Sequence, residues 1–378
     1  MPYDCRTDYE LQGIVSQAEM DAAPGAVYTA AVTDGTWNSH RRGRRRGELT
    51  VATVARLAGV SATTVSKVLN GQAGVAADTR QRVEAMLREH GYRRPQVSEP
   101  AAAIEVVFYG ISGDIEIRVI DGVERLARQH DLSVTVTNAL NPVHAARSWS
   151  EQLLARRPLG VIAVHSHFTH EHHDQLAVSG IPVVALDPMG EPTHTTPSVG
   201  ATNWSGGITA ARHLLDLGHR RIGLISGPTG YLCAHARLEA WRVALDTAGT
   251  PVDTALVRAG HFSVHDGLQA AQELLSLPDR PTAVLCGNDL QALGVYEAAR
   301  RAGLRIPDDL SVVGFDDVDL ARWAPPPMTT VRQPFTEMGE AAAHLLLTLA
   351  TGKSPTQTRV ELATTLVVRD STAPPHSR

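Results

Sequence analysis

Apolar residues at positions 49–92 recur at helical spacing in three short bursts. In Leu49-Thr-Val-Ala-Thr-Val-Ala-Arg-Leu-Ala-Gly-Val-Ser-Ala-Thr-Thr-Val-Ser-Lys-Val-Leu-Asn70, residues 51–58 predict one helix. Gly59-Val60 breaks the run, and Ser61 can cap a second helix through Leu69. A third helix is expected over 77–90, ending at Gly91, with Asp78 near its start and Val83, Met86 and Leu87 as its apolar stripe. Two short amphipathic helices across a three-residue gap containing glycine form the pattern of a helix-turn-helix, whose second helix enters the DNA major groove. The spacing puts Ser61, Ala62, Thr63, Thr64, Ser66 and Lys67 on the outer side of that helix, a small and polar set that lets hydroxyls and backbone approach base edges and phosphates. An ordinary αα-hairpin would share this spacing.

Beyond a linker with two prolines, Arg93-Arg94-Pro95-Gln-Val-Ser-Glu-Pro100, the period changes. Continuous apolar runs at 104–109, 132–137, 161–164, 183–186, 222–226, 283–286 and 311–315 predict strands. Amphipathic stretches between them, among them 117–128, 205–217, 235–248, 266–275 and 290–302, predict helices. Apolar strands separated by amphipathic helices imply parallel sheets covered on both faces. The strands are too many for one small sheet, and a chain of 378 residues has room for a head and two further domains. The expected fold class is an all-α helix-turn-helix head plus an α/β core of two doubly wound parallel-sheet lobes. Residues 1–48 show no sustained periodicity and are expected to be a disordered extension. The expected division is then 49–94 for the head, 95–103 for a hinge or linker, 104–372 for the core and 373–378 for a tail.

Charge changes the picture of the head. The chain carries a net −5, which by itself argues against nucleic acid, but residues 41–95 hold twelve Arg/Lys against four Asp/Glu. Residues 96–378 hold 22 against 30, and residues 1–40 hold one against six. A compact basic segment on a larger acidic body is the electrostatic footprint of a DNA-binding head fused to a domain with another task. The run Arg41-Arg-Gly-Arg-Arg-Arg46 could be a solvated tail or could add phosphate contacts.

In doubly wound sheets ligands bind outside the carboxyl ends of the strands. Those positions hold Asp187-Pro188, Ser226-Gly-Pro-Thr-Gly230 leading to a helix with Arg237 and Trp241, Gly287-Asn288-Asp289, and Asp316-Asp317, while Phe262 precedes a helix beginning near Ser263. Carboxylates, an amide, a guanidinium and an aromatic face suit a polyhydroxylated ligand, since each planar group can bridge neighbouring hydroxyls. Singly, Asp187, Asp316 and Asn288 could be helix caps and Arg237 a surface residue. Together, at the ends of four strands, they point to a ligand site. No triad, Walker loop or enzyme-type metal pair accompanies them, so neither catalysis nor a cofactor is expected.

His165, His167, His170, His172 and His173 could hold zinc or nickel, although a polar loop entering a helix is the simpler account and no metal is expected. Cys5, Cys233 and Cys286 give neither a disulfide framework nor a zinc spacing. No apolar run reaches membrane-spanning length, and no basic segment followed by an apolar core opens the chain, so a cytoplasmic, nucleoid-associated protein without membrane contact is expected.

Over 49–372 the chain resembles the lac-repressor (LacI/GalR) family of bacterial transcription regulators. The resemblance is carried by Val54-Ala-Arg-Leu-Ala-Gly-Val-Ser61, Thr64-Val-Ser-Lys-Val-Leu-Asn70, Thr79-Arg and His90-Gly-Tyr92 in the head. In the core it is carried by Leu217-Gly-His-Arg-Arg-Ile-Gly-Leu-Ile225, Asn288-Asp-Leu-Gln-Ala-Leu-Gly294, Ile306-Pro-Asp-Asp-Leu-Ser-Val-Val-Gly-Phe-Asp-Asp317 and Pro327-Met-Thr-Thr-Val-Arg-Gln-Pro334. It implies a periplasmic-binding-protein-like core and a homodimeric repressor on double-stranded, pseudo-palindromic operator DNA. It also implies a small-molecule effector, usually a sugar, between the lobes. By motif, Ala62, Thr63 and Lys67 fall where the family reads base edges, and Thr50, Ser61, Thr64, Ser66 and Asn70 where it mostly touches backbone. Asp187, Arg237, Phe262, Asn288 and Asp316 fall at family effector contacts. The family's hinge helix usually carries a Leu that wedges into the minor groove. Here residues 95–103 contain none, so either Val97 is a smaller wedge or the hinge helix does not form; the second is the expectation.

Overall fold

A computed structural model describes residues 51–69, 75–89, 101–111, 113–140, 149–165, 176, 179–190 and 196–376. They divide into two compact units, separated between residues 97 and 98. The first unit contains α1 (Val51–Ala58), α2 (Ala62–Leu69) and α3 (Ala77–Glu89). Its core is Ala55, Ala58, Val65, Val68 and Val83, with Val60, Val75 and Met86 packed against it. These are the apolar positions of the three helical stripes, so burial of one face per helix assembles the unit. The turn after α1 is closed by Val60 N–H donating to Ala55 O and Gly59 N–H to Arg56 O. That pair of bonds needs a left-handed residue at Gly59, whose φ is +64°, and glycine adopts it without a Cβ penalty. Thr64 N–H donates to Ser61 Oγ at 3.1 Å, so Ser61 caps α2 as its sequence position suggested.

The second unit begins with β1 (Ala101–Phe108), α4 (Asp114–Gln129), β2 (Ser133–Asn138), α5 (Trp149–Arg156), β3 (Pro158–Val164), β4 (Val183–Leu186) and β5 (Ser198–Ala201). It continues through α6 (Asn203–Asp216), β6 (Ile222–Ser226), α7 (Leu232–Thr247), β7 (Val257–Ala259), α8 (Val264–Leu275), β8 (Ala283–Cys286), α9 (Asp289–Arg301) and β9 (Ser311–Asp316). The last elements are α10 (Asp319–Trp323), β10 (Thr329–Arg332), α11 (Phe335–Ala350), β11 (Arg359–Leu362) and β12 (Thr365–Val367). Two six-stranded sheets result, ordered β11-β5-β4-β3-β1-β2 and β12-β10-β9-β8-β6-β7. The first is parallel throughout, and the second is parallel except for β12, which pairs antiparallel with β10. Each is sandwiched between helices: α4 and α11 share a core with the first sheet, and α6 and α7 with one face of the second. The two doubly wound lobes expected from the strand pattern are present.

In both sheets the order reverses beside the first strand, between β1 and β3 and between β6 and β8, which is where a doubly wound sheet opens its crevice. The chain crosses between lobes at residues 201–203, 332–335 and 362–365. Thr202 and Thr364 tie two of these crossings together: Thr364 N–H donates to Thr202 Oγ1 at 3.0 Å, and Thr364 Oγ1 donates to Thr202 O at 3.2 Å.

Some expected boundaries move. Ala101–Ala103, read with the linker, belong to β1: Ala101 N–H donates to Arg157 O, and Ala102 O accepts from Ser133 Oγ. Ala373, read as tail, is packed, with its carbonyl accepting from His219 Nε2 and its N–H donating to Ser311 Oγ. Strands β5, β7, β10, β11 and β12 are three or four residues long and interrupted by polar or small residues, as in Ser-Val-Gly-Ala of β5 and Thr-Thr-Val-Arg of β10, so no continuous apolar run marks them and none was among the expected strands. The rest of the hinge, Val97 included, lies outside the described residues. Among the described residues no helix is long and apolar enough to cross a membrane.

Candidate functional site

In the first unit, α2 presents Thr63 and Lys67 to solvent one helical turn apart, with Ser61 exposed at its N-terminus and Thr64 half-buried. Ser61 Oγ and Thr64 Oγ1 lie 2.9 Å apart, so the cap and its partner hydroxyl form one polar pair at the start of the helix. The side chains of Ala62 and Ser66, and residues Thr50 and Asn70, lie outside what is described.

In the second unit, strand ends of both lobes converge on a cavity of about 220 Å³. Asp187, Arg237, Phe262, Asn288 and Asp316 all line it. The first lobe supplies Tyr109 after β1, His165 after β3 and Asp187 after β4; the second supplies Asn288 after β8 and Asp316 at the end of β9. The strand-end rule therefore located the cavity because parallel strands deliver their C-terminal residues to one edge.

Arg237 organises the centre. It is buried on α7, and its Nε and Nη2 donate to Asn203 Oδ1 at 2.9 and 2.7 Å, while Nη1 donates to Gly287 O at 2.5 Å. Its guanidinium carbon stands 3.7 Å from the Phe315 ring centroid and 5.9 Å from that of Phe262. Asp316 Oδ1 lies 3.7 Å away. Hydrogen bonds, two rings and one carboxylate leave the fork a single orientation. The alternative of Arg237 as a surface residue is thereby set aside: Asn203, Gly287 O and the Phe315 ring enclose its guanidinium.

Asp187 Oδ2 faces His165 Nε2 at 3.0 Å. Burial alone would lower the His165 pKa, but the hydrogen bond and charge of Asp187, with Asp316 and Glu116 behind it, raise it above the usual imidazole value. Burial opposes ionisation of Asp187, yet His165 and Arg237 outweigh it and hold that carboxyl below its ordinary value. Asp316 goes the other way: burial pushes it up to about 6, only partly opposed by Arg237 and by Gln333 Nε2, which donates to Asp316 Oδ1 at 2.7 Å. Both aspartates have left-handed backbone, φ +44° at Asp187 and +111° at Asp316, conformations that non-glycine residues adopt at a cost and that concentrate at functional sites. Asp316 does not cap α10, whose N-cap is Val318.

Asn288 has two roles available. Its Oδ1 accepts from Gln291 N–H at 2.9 Å, which makes it the N-cap of α9, and the residue also lines the cavity. Phe262 leans over Gly227, where any Cβ would collide with its ring, so glycine at the turn after β6 is what lets the aromatic face reach the cavity. Tyr231 stands beside it, with ring centroids 6.0 Å apart.

Sequence reasoning missed Asn203, Phe315, Gln333 and Tyr231, and it grouped His165 with possible metal ligands. Asn203 and Gln333 follow β5 and β10, strands without a continuous apolar run, so no strand end announced them. His165 did follow a recognised strand and carried the same signal as Asp187. The remaining histidines of that cluster, His167, His170, His172 and His173, lie outside the described residues. Gln333 is buried, lines the cavity, and its Oε1 has no hydrogen-bond partner. An unpaired buried acceptor costs about 1–3 kcal/mol.

Comparison with known proteins agrees with this geometry. Residues 50–95 match the profile of bacterial regulatory proteins, lacI family, and residues 211–372 match a periplasmic binding protein-like domain. The chain is 32% identical over 330 residues to the HTH-type transcriptional repressor PurR of Escherichia coli, covering 86% of this chain and 97% of that protein. A solved complex of the transcriptional regulator CelR with cellobiose superimposes with a TM-score of 0.66 at 32% identity, over 85% of this chain and 99% of that one. The lac repressor dimer bound to operator and the anti-inducer ONPF superimposes with a TM-score of 0.63 at 30% identity, over 86% and 99%.

Proposed function

The chain belongs to the lacI family of bacterial regulatory proteins, and on that premise we propose that it is a transcriptional repressor whose grip on operator DNA is set by a small carbohydrate effector. As a homodimer, it presents two copies of α2 to successive major-groove half-sites of double-stranded DNA. Ala62, Thr63 and Lys67 read base edges, and Thr50, Ser61, Thr64, Ser66 and Asn70 position the backbone. The protein acts in the cytoplasm, on the nucleoid, and turns over no substrate.

One observation carries the effector half: charged and polar side chains from both lobes, Asp187 and His165 from one and Arg237, Asn288 and Asp316 from the other, meet at one cavity. Asp187, Asp316 and Gln333 accept from hydroxyls, Arg237 and Asn288 donate, and Phe262 covers an apolar ring face. That mixture suits a polyhydroxylated ring better than an apolar ligand, which would leave these groups buried without partners. Because the cavity draws Asp187 from one lobe and Asn288 and Asp316 from the other, an effector held by both biases one lobe arrangement over the other. It changes DNA affinity by as much as it discriminates between the arrangements.

Fluorescence anisotropy with a labelled duplex from upstream of the protein's own gene tests this. Specific binding that weakens steeply as salt rises, and that a sugar found by thermal-shift screening modulates, is expected. Arg237→Ala should bind the duplex as the parent does and ignore the sugar. A variant that still responds normally overturns the site, and catalytic consumption of the sugar overturns the function.

A further inference from the structure

Beside the effector cavity lies a larger one, about 460 Å³. Residues 198–205 wall it, with Leu232, Cys233 and Ala236 of α7 and Arg359, Val360 and Glu361 of β11. Asp187 and Cys233 line both cavities, so the two share a boundary. Burial, only partly offset by Arg237, pushes the Cys233 thiol up to about 11, and this boundary residue is therefore a neutral, apolar surface.

The second cavity exposes two large apolar side chains, Trp204 at 48% and Leu232 at 43%. The exposure of Trp204 follows from its neighbour. Asn203 is turned inward, with its Nδ2 donating to Ala201 O at 3.2 Å and its Oδ1 accepting twice from Arg237. The next residue on a helix points about 100° away, which directs Trp204 into the second cavity. The group that orients Arg237 toward the first cavity thus fixes an indole beside the second. The same cavity is lined by Ser205, Asp187, Glu361 and Arg359.

An apolar plate rimmed by hydroxyl, carboxylate and guanidinium groups matches a pyranose ring, whose C–H face packs on an aromatic while its hydroxyls hydrogen-bond outward. We infer that the effector is a di- or oligosaccharide. One ring lies over Phe262 in the first cavity, the glycosidic linkage passes Asp187 and Cys233, and the next ring stacks on Trp204. This rests on the carbohydrate reading above and extends it from a sugar to a chain of at least two.

Isothermal titration of the full-length protein with glucose, galactose and ribose, and with cellobiose, lactose, maltose and trehalose, tests the inference. One disaccharide should bind at least ten-fold more tightly than any monosaccharide. Trp204→Ala should weaken that disaccharide roughly ten-fold, the size of one aromatic stacking contact. It should leave any monosaccharide affinity unchanged, and Trp204→Phe should recover most of the loss. A monosaccharide that binds as tightly as every disaccharide, with Trp204→Ala indistinguishable from the parent, overturns the second subsite while the carbohydrate reading stands. Absence of binding by every sugar overturns both.

Discussion

His165 and Asp187 form the most charge-sensitive pair in the cleft. His165 has a raised folded pKa, so its contribution to stability is complete below its unfolded value of about 6.5 and is lost as pH rises through the folded value. Asp187 has a lowered folded pKa, so its contribution is present above about 3.9 and is lost as pH falls. Asp316, raised to about 6, has the opposite sign: its ionisation costs stability progressively from about pH 3.9 up to that value. Above about pH 6.5 only the histidine among these three still titrates. Half-buried His213 and buried His219, whose pKa values burial lowers, contribute with the opposite sign to His165, so the effect of His165 is read as a difference: relative to the parent, His165→Gln should lose less thermal stability as pH rises above about 6.5. Differential scanning fluorimetry across this range checks it; parallel curves for parent and variant would remove the pair from the account.

The ends of the elements carry as much meaning as their cores. Asn288 caps α9 while bordering the cavity, and substitution separates the two roles. Asn288→Ala should lose about 1 kcal/mol in urea denaturation, the usual value of such a cap. Asn288→Asp keeps a capping oxygen and should unfold close to the parent, yet it exchanges the amide donor for a second charge near Asp316 and should weaken effector binding. Equal sugar affinity in Asn288→Asp would show that the amide touches no ligand. At this scale the sequence was legible wherever an element was long or strongly apolar: β4, β6 and β8 have the expected bounds. Helices α6 and α7 start two and three residues earlier than their apolar stripes suggest, because their first turns are made of residues that face the cavities, Asn203 and Cys233 among them. A stripe records what faces a sheet, and residues that face a ligand leave no period in it.

At the scale of the whole core, the two lobes are held together at one side of the cleft by a small charge network. Arg118 Nη2 lies 2.7 Å from Asp114 on its own helix and 3.0 Å from Asp319 of the other lobe, whose backbone N–H donates to Asp114 at 3.3 Å. Asp319 is 68% exposed, so the bridge is worth at most about 1 kcal/mol. Arg118→Ala should open the ligand-free core, visible as a larger radius of gyration in small-angle scattering, and should weaken the effector no more than about five-fold, since the lost closed population is the only term that changes. A larger loss would place Arg118 in the site itself. By itself the sequence determined the helix-turn-helix and the two-lobed parallel core, and it pointed to Asp187, Asn288 and Asp316 at strand ends and to Arg237 and Phe262 on or before the helices that follow, because apolar periodicity is a local property of the chain. Only the tertiary structure decided that Asn203 aims Arg237, that His165 faces Asp187, that Gln333 donates to Asp316 beside the cavity and that Trp204 lines a second one. The first two pairings join residues 34 and 22 positions apart in sequence, which apolar periodicity does not connect and only the packing of strand ends and helices brings into contact.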